Sequence, residues 1–230
     1  MLKYIRVATF NIRHGKGVDN RVSLKRVAAT LNNLNPHIAG LQEVDCFMPR
    51  SFFQDQAKRL ARCLGMHYNY APNLKYGPCR YGNALLSKFP VLKCENIPLP
   101  GELEQRGLQH CLLSLPGNET INFFNTHLGL SSEDREAQVA VIVRHLPEGT
   151  KPVILAGDFN AAAISPELQR LSRYLHYTGG IEPPDTYPAG RPRHSIDHIY
   201  ISGRWRVTQI TAVPTLASDH WPLVCILTPQ

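Results

Sequence analysis

Residues 153–160, VILAGDFN, constrain the fold of this chain more than any other stretch. Four apolar residues, a glycine and then Asp-Phe-Asn predict a buried strand that delivers polar side chains at its C-terminal end. Period-two alternation predicts Asp158 and Asn160 on one face, with Phe159 turned into apolar material. A carboxylate against a core is costly unless it is paired or bound to a metal, so this strand end is a candidate site.

The same ending recurs along the chain. Residues 4–11 alternate and predict a strand finishing at Asn11, and residues 37–44 predict another finishing in Gln42 and Glu43, with Asp45 just beyond. Helices are predicted over 21–34, closed by Pro36, and over 52–63, ended by Gly65. Residues 66–70 read as a short strand followed by a Pro/Gly/Asn-rich loop through Gly82, then strands over 83–87 and 91–97. Residues 108–115 and 121–127 form a hairpin through Pro116-Gly117-Asn118 and deliver Thr126 and His127. Ser131 caps a helix reaching about Leu146, and Ser165-Pro166-Glu167 starts a short one reaching about Tyr174. A long loop over 179–194 precedes closing strands over 195–201, 205–213 and 223–227.

Nine to eleven strands and three or four helices, without an internal repeat, predict two sheets packed face to face with helices outside. The hairpin and the closing meander need antiparallel pairing, which disfavours a doubly wound parallel sheet. At 230 residues and 43% hydrophobic content the chain suits one domain, 1–230. The net charge of +7 favours anionic partners without choosing among nucleic acid, phospholipid headgroup and small phosphate.

The six cysteines, at positions 46, 63, 79, 94, 111 and 225, form no CxxC pair, and Cys94, Cys111 and Cys225 sit in apolar runs. Buried reduced thiols are therefore expected rather than a disulfide framework. The first residues read as a strand rather than a signal peptide, and no run approaches the roughly 20 apolar residues of a membrane span. A cytoplasmic location, no integral membrane segment and no obligate protein partner are the expectations.

Nine polar residues stand just after an apolar strand or on its edge: Asn11, Glu43, His127, Asp158, Asn160, Asp197, His198, Asp219 and His220. In a chain with only 18 acids and 10 histidines, convergence on one rim is the simpler account. Glu43, Asp158 and Asp219, with Asn11 and Asn160, form an oxygen-rich set suited to Mg²⁺ or Mn²⁺, whereas zinc would gather more His or Cys ligands. His127 and His220 are the proton carriers or oxyanion donors, and Asp197 a partner that fixes a tautomer.

Seven segments together resemble the endonuclease/exonuclease/phosphatase superfamily of metal-dependent phosphoesterases: TFNIRHG, LQEVD, GNALLSKFP, NTHL, GDFN, SIDHIY and SDHWPL. The resemblance runs from the first strand to the last and implies a DNase I-like four-layer α/β/β/α sandwich, two mainly antiparallel sheets flanked by helices. By residue it implies Glu43 as the main metal carboxylate, with Asn11 and, through the metal's waters, Asp219. Asp158 would orient or deprotonate the attacking water, and Asn160 would hold that water or a phosphate oxygen. His220 would contact the scissile phosphate, oriented by Asp197, and His127 would stabilise the phosphorane. Arg106 and Arg80 are candidate phosphate clamps, and Asn83 a further phosphate contact.

The substrate is less constrained. Abasic-site nucleases of this family typically carry Lys where this chain has Asp45, an acid expected to repel an extended phosphate backbone. The inositol-phosphatase Trp-Cys-Asp-Arg run is absent too. The set looks most like a bacterial sphingomyelinase-like branch, without a long apolar hairpin for membrane insertion. A phosphodiesterase or phosphomonoesterase on a small or lipid-derived phosphoester leads; a nuclease on DNA or RNA is the alternative, and a non-catalytic phosphate-binding module the reading from another class.

Overall fold

Along the strand Val153–Asp158 successive side chains enter two different cores: Ile154 and Ala156 on one face, Val153 and Leu155 on the other. A strand buried on both faces belongs to an interior sheet, and the computed structural model, which describes residues 3–149 and 151–230, is built on that pattern. The elements in order are β1 (Ile5–Asn11), α1 (Leu24–Leu34), β2 (Ile38–Cys46), α2 (Gln56–Leu64), β3 (His67–Tyr76), β4 (Cys79–Ser87), β5 (Val91–Leu99), β6 (Arg106–Leu115), β7 (Glu119–His127) and α3 (Ser132–His145). After them come β8 (Val153–Asp158), α4 (Pro166–Gln169), β9 (His176–Tyr177), β10 (Asp197–Ile201), β11 (Trp205–Ala212) and β12 (Leu223–Pro229).

Two six-stranded sheets result, in the orders β11-β12-β1-β2-β4-β3 and β5-β6-β7-β8-β10-β9. Among the described residues, only β1–β2 and β7–β8 pair in parallel. Each of these pairs needs a crossover, and α1 and α3 supply them. Three apolar clusters separate four layers. Ile5, Val7, Ile38, Phe123, Ile154 and Ile199 fill the space between the sheets. Val27 and Leu31 of α1 and Leu60 of α2 cover the outer face of the first sheet, and Val139 and Ile142 of α3 cover that of the second. The expected α/β/β/α sandwich with mainly antiparallel sheets is the observed one.

Several local expectations are corrected. The loop expected through Gly82 is the β3–β4 hairpin; Pro72 is tolerated there because β3 is an edge strand, at a register shift. The helix expected from residue 52 begins at Gln56, where Asp55 accepts from the Lys58 amide; Phe52 and Phe53 have left-handed φ of 60° and 54° and cannot continue a helix. The short helix after Pro166 is one α turn followed by a 3₁₀ turn over Leu171–Arg173. The expectation of reduced thiols fails at one pair: Cys94 of β5 and Cys111 of β6 stand directly opposite, Cα atoms 4.2 Å apart, joined as a disulfide. Hairpin register, not sequence spacing, brings these thiols together.

Candidate active site

The face between the sheets changes character along its strands. Ile5 and Val7 of β1 are followed by Thr9 and Asn11, Ile121 and Phe123 of β7 by Asn125 and His127, Ile154 and Ala156 of β8 by Asp158, and Ile201 and Ile199 of antiparallel β10 lead back to Asp197. The polar ends of four strands thus meet at one edge of the inter-sheet layer. The registers Asn11↔Gln42, His127↔Asp158 and Asp197↔Asp158 put these ends side by side. Gly157 lets β7 and β8 approach there, since a Cβ would lie 2.2 Å from the Thr126 carbonyl oxygen.

Glu43 reaches this edge by a different route. Alternation in β2 sends Leu41 to the helix side and Gln42 between the sheets, so Glu43 would face outward. The β2–β4 register shifts between Leu41 and Val44, and Glu43 takes a left-handed φ of 56°. This bulge turns its carboxylate toward β1, where Asn11 Nδ2 donates to Glu43 Oε1 at 3.0 Å. A strained non-glycine residue of this kind costs on the order of 1–3 kcal/mol and persists where the surroundings enforce it.

Asp158 Oδ2 is the focus of the cluster. Asn11 Nδ2 donates to it at 2.9 Å, and the Nε2 atoms of His127 and His220 lie 3.5 and 3.7 Å away. Behind His220, Nδ1 contacts Asp197 Oδ2 at 2.8 Å, and Thr186 Oγ1 donates to the same oxygen at 2.6 Å. Behind His127, Nδ1 faces Arg106 Nη1 at 3.0 Å, and that guanidinium pairs with Glu104 at 2.6 Å. Asp219 pairs with Arg13 at 3.2 Å.

The two histidines are opposed electrostatically. Burial and the Arg106 charge outweigh Asp158 and push His127 down to about 3, so it is a neutral ring. Burial also works against a charged His220, but Asp197, Asp158 and Asp219 outweigh it and hold that ring protonated. The Glu43 carboxyl is raised by burial and by the neighbouring charges of Asp158 and Asp219, against the Asn11 hydrogen bond.

This acid surplus fits a divalent cation. Four carboxylates, Glu43, Asp158, Asp197 and Asp219, stand against His220 and Arg13, and Asp197 Oδ1 is buried without a hydrogen-bond partner among the described residues. Asp158, Asp197 and His220 offer ligand atoms mutually within 4.8 Å. Asp197 Oδ2 already takes His220 Nδ1 and the Thr186 hydroxyl, so this trio is also a hydrogen-bonded relay, and Asn11 links Glu43 to Asp158 beside it.

Other anticipated residues are placed differently. The strand stops at Asp158, and Asn160 leaves it at φ 50°, so the shared strand face expected for the two does not exist. Asn160 stays beside the cluster through its amide N–H to Asp158 Oδ1, while its Nδ2 donates to the Leu128 carbonyl. Asn83 is buried and ties the sheets together by donating to the Gly107 carbonyl. Arg80 donates to the carbonyls of Gly77 and Cys79 in the β3–β4 turn. His198 is a core residue, its Nε2 2.8 Å from the Ala161 carbonyl. Asp45, expected to repel phosphates, is buried and neutralised by a two-pronged contact with Arg50 at 2.8 and 2.9 Å.

Sequence reasoning missed three further parts. Asn125 bonds Gln42 at 2.7 Å, Gln109 at 3.1 Å and the Leu41 and Ala84 carbonyls, forming a polar floor between the sheets. Gly40 makes room for it, since a Cβ would lie 2.9 Å from Asn125 Oδ1. Thr186 and Tyr187, whose ring centroid is 4.9 Å from that of His220, come from the long loop over 179–194. The signal for Asn125 was available, two positions before His127 on the same strand face; Thr186 and Tyr187 had none.

Comparison with known proteins identifies the fold and the family. The Escherichia coli K12 protein YbhP, itself uncharacterized, is 31% identical over 183 residues, covering 71% of this chain and 69% of the relative. Among solved structures, the Bacteroides thetaiotaomicron mannosyl-6-phosphatase Bt3783 superposes with a TM-score of 0.81 at 18% identity, over 97% of this chain and 99% of that one. The human Nocturnin catalytic domain with bound sulfate gives 0.79 at 22% identity, over 100% and 96%. At these identities the structural likeness speaks to the fold alone. Residues 8–220 match the Endonuclease/Exonuclease/phosphatase family, and the chain belongs to that family.

Proposed function

We propose that this single-domain protein is a divalent-metal-dependent phosphoesterase that hydrolyses its substrate by in-line attack of an activated water. The observation that carries the reading is the convergence of Asn11, His127 and His220 nitrogens on one oxygen of buried Asp158. The Asp158 carboxylate is the group to orient the attacking water and take its proton, and Asn160, tied to Asp158 Oδ1, holds that water or a phosphate oxygen. His127 offers a neutral Nε2–H and His220 a protonated ring, so one donor without charge and one with it face the charge that develops on the phosphoryl oxygens. Asp197 holds the His220 ring in place. Glu43, Asn11 and Asp219 would hold Mg²⁺ or Mn²⁺, which supplies Lewis-acid neutralisation of the phosphoryl group.

A small or lipid-derived phosphoester is the substrate in this reading, near the sphingomyelinase-like branch and acting in the cytoplasm. The Cys94–Cys111 disulfide speaks against that compartment, since such bonds persist in oxidising ones. The mannosyl-6-phosphatase likeness is consistent with a small phosphomonoester. One observation favours the nuclease alternative: with Asp45 neutralised by Arg50, the acid that argued against a phosphate backbone no longer does. The proposal is tested by hydrolysis of p-nitrophenyl phosphate and bis-(p-nitrophenyl) phosphate with Mg²⁺ or Mn²⁺. Activity that survives both EDTA and Asp158→Ala would overturn it, and a panel of sphingomyelin, sugar phosphates and single-stranded oligonucleotides separates the substrates.

A further inference from the structure

Three phenylalanines, Phe47, Phe52 and Phe53, stand 46%, 67% and 63% exposed in the segment that follows the Glu43 strand. All three have left-handed φ, 59°, 60° and 54°, a conformation that bulky residues adopt at a cost. Their backbone is nonetheless well tied: the Phe47 amide donates to Gln54 O and the Phe53 amide to Met48 O, both at 3.0 Å, and Cys46 bridges Asp55. The fold thus spends local strain to keep apolar rings in water, and exposed apolar clusters of this kind mark interaction surfaces.

Two neighbours extend the patch. Cys79 of the β3–β4 hairpin contacts the Phe47 carbonyl at 3.1 Å, so Tyr76, 59% exposed, and Lys75 at the hairpin tip stand beside the aromatic segment. Arg50 lies within the segment itself, over the Tyr81 ring at 5.1 Å. The acids of the region are engaged, Asp45 by Arg50 and Asp55 as the cap of α2. Arg50 and Asp45 cancel, so Lys75 and Arg80 of the hairpin, which make no ion pair among the described residues, give the aromatic patch its cationic edge, and the patch begins four residues beyond Glu43.

We infer that this segment docks the protein on an anionic phospholipid bilayer, so that the candidate active site meets phosphoesters presented at a membrane surface. Aromatic rings favour the headgroup boundary, and flanking cations add attraction to anionic lipid. Single-stranded nucleic acid is the less suitable occupant, because stacking platforms line a cationic groove, whereas these rings flank one short turn over Pro49–Ser51. The inference rests on the phosphoesterase reading only for what is then hydrolysed; docking itself needs no turnover.

The test is sedimentation of the full chain, in EDTA, with phosphatidylcholine vesicles and with mixed phosphatidylcholine–phosphatidylglycerol vesicles. The wild type is expected to partition onto the mixed vesicles, weakening with added salt. The double variant Phe52→Ser/Phe53→Ser should bind about tenfold less or worse. Its thermal unfolding and its p-nitrophenyl phosphate hydrolysis without vesicles should match the wild type, and Lys75→Glu gives an independent electrostatic loss should the double variant fold poorly. Absence of wild-type binding, or variants that bind as well as wild type, overturns the inference. So does a loss confined to binding of a labelled single-stranded oligonucleotide, or to self-association measured by light scattering. Hydrolysis that survives both EDTA and Asp158→Ala would remove the metal-dependent phosphoesterase reading while leaving vesicle binding intact.

Discussion

The Nη1 of Arg106 lies 3.0 Å from Nδ1 of His127, and this contact decides which imidazole nitrogen carries the proton. A guanidinium only donates, so Nδ1 accepts, and the remaining N–H of the neutral ring is Nε2, facing Asp158. Arg106 was anticipated as a phosphate clamp; the geometry gives it a positioning role behind His127. Arg106→Gln is expected to lower kcat about a hundredfold with KM for p-nitrophenyl phosphate nearly unchanged. A raised KM at wild-type kcat would restore the clamp.

Asp197 is fully buried and receives both His220 Nδ1 and the Thr186 hydroxyl on one oxygen. Asp197→Asn removes the charge that holds the His220 ring protonated, and kcat should fall roughly a hundredfold or more. Thr186→Val, which removes one hydrogen bond and no charge, should cost less. Equal losses from the two would mean that His220 is held by packing against Tyr187 rather than by its carboxylate.

The Asp45–Arg50 pair should respond asymmetrically. Asp45 is fully buried while the Arg50 side chain is 44% exposed. Arg50→Ala strands a buried carboxylate and is expected to cost about 2–3 kcal/mol in urea unfolding, below the range for a wholly buried pair. Asp45→Asn leaves a guanidinium that can turn to water and should cost less. The reverse order would show that the Arg50 contribution is its packing on Tyr81.

His198 makes stability depend on acid. Burial pushes its pKa down to about 4, while the unfolded chain protonates near 6.5. Between those values the unfolded state binds the extra proton, so stability is full above about pH 6.5 and falls as pH drops toward 4. His198→Gln, whose amide can still donate to the Ala161 carbonyl, should be less stable at pH 7.5 and lose less on acidification, by on the order of 2–3 kcal/mol at most. Parallel pH profiles for the two proteins would contradict this.

The strand end at Asp158 was legible because burial on both faces writes an apolar run that a polar residue terminates. Helix α2 was placed too early because the apolar Phe52-Phe53 pair mimics a helix start, whereas backbone dihedrals hold it out. Proline and glycine made the β3–β4 hairpin look like a loop, since nothing local reveals that β3 is an edge strand.

What the sequence alone determined is most of the strands, though not the short β9, the polar ends of those that carry the candidate site, and through seven ordered segments the sandwich they build. Local patterning suffices there, because side-chain periodicity reports which faces are buried. Only the tertiary structure decided that a bulge turns Glu43 inward, that Arg50 cancels Asp45, that Arg106 stands behind His127 and Thr186 behind Asp197, and that Cys94 meets Cys111. Each of these is set by register or by a contact between segments distant in sequence or conformationally unusual, and one residue of strand slip would redirect every side chain involved.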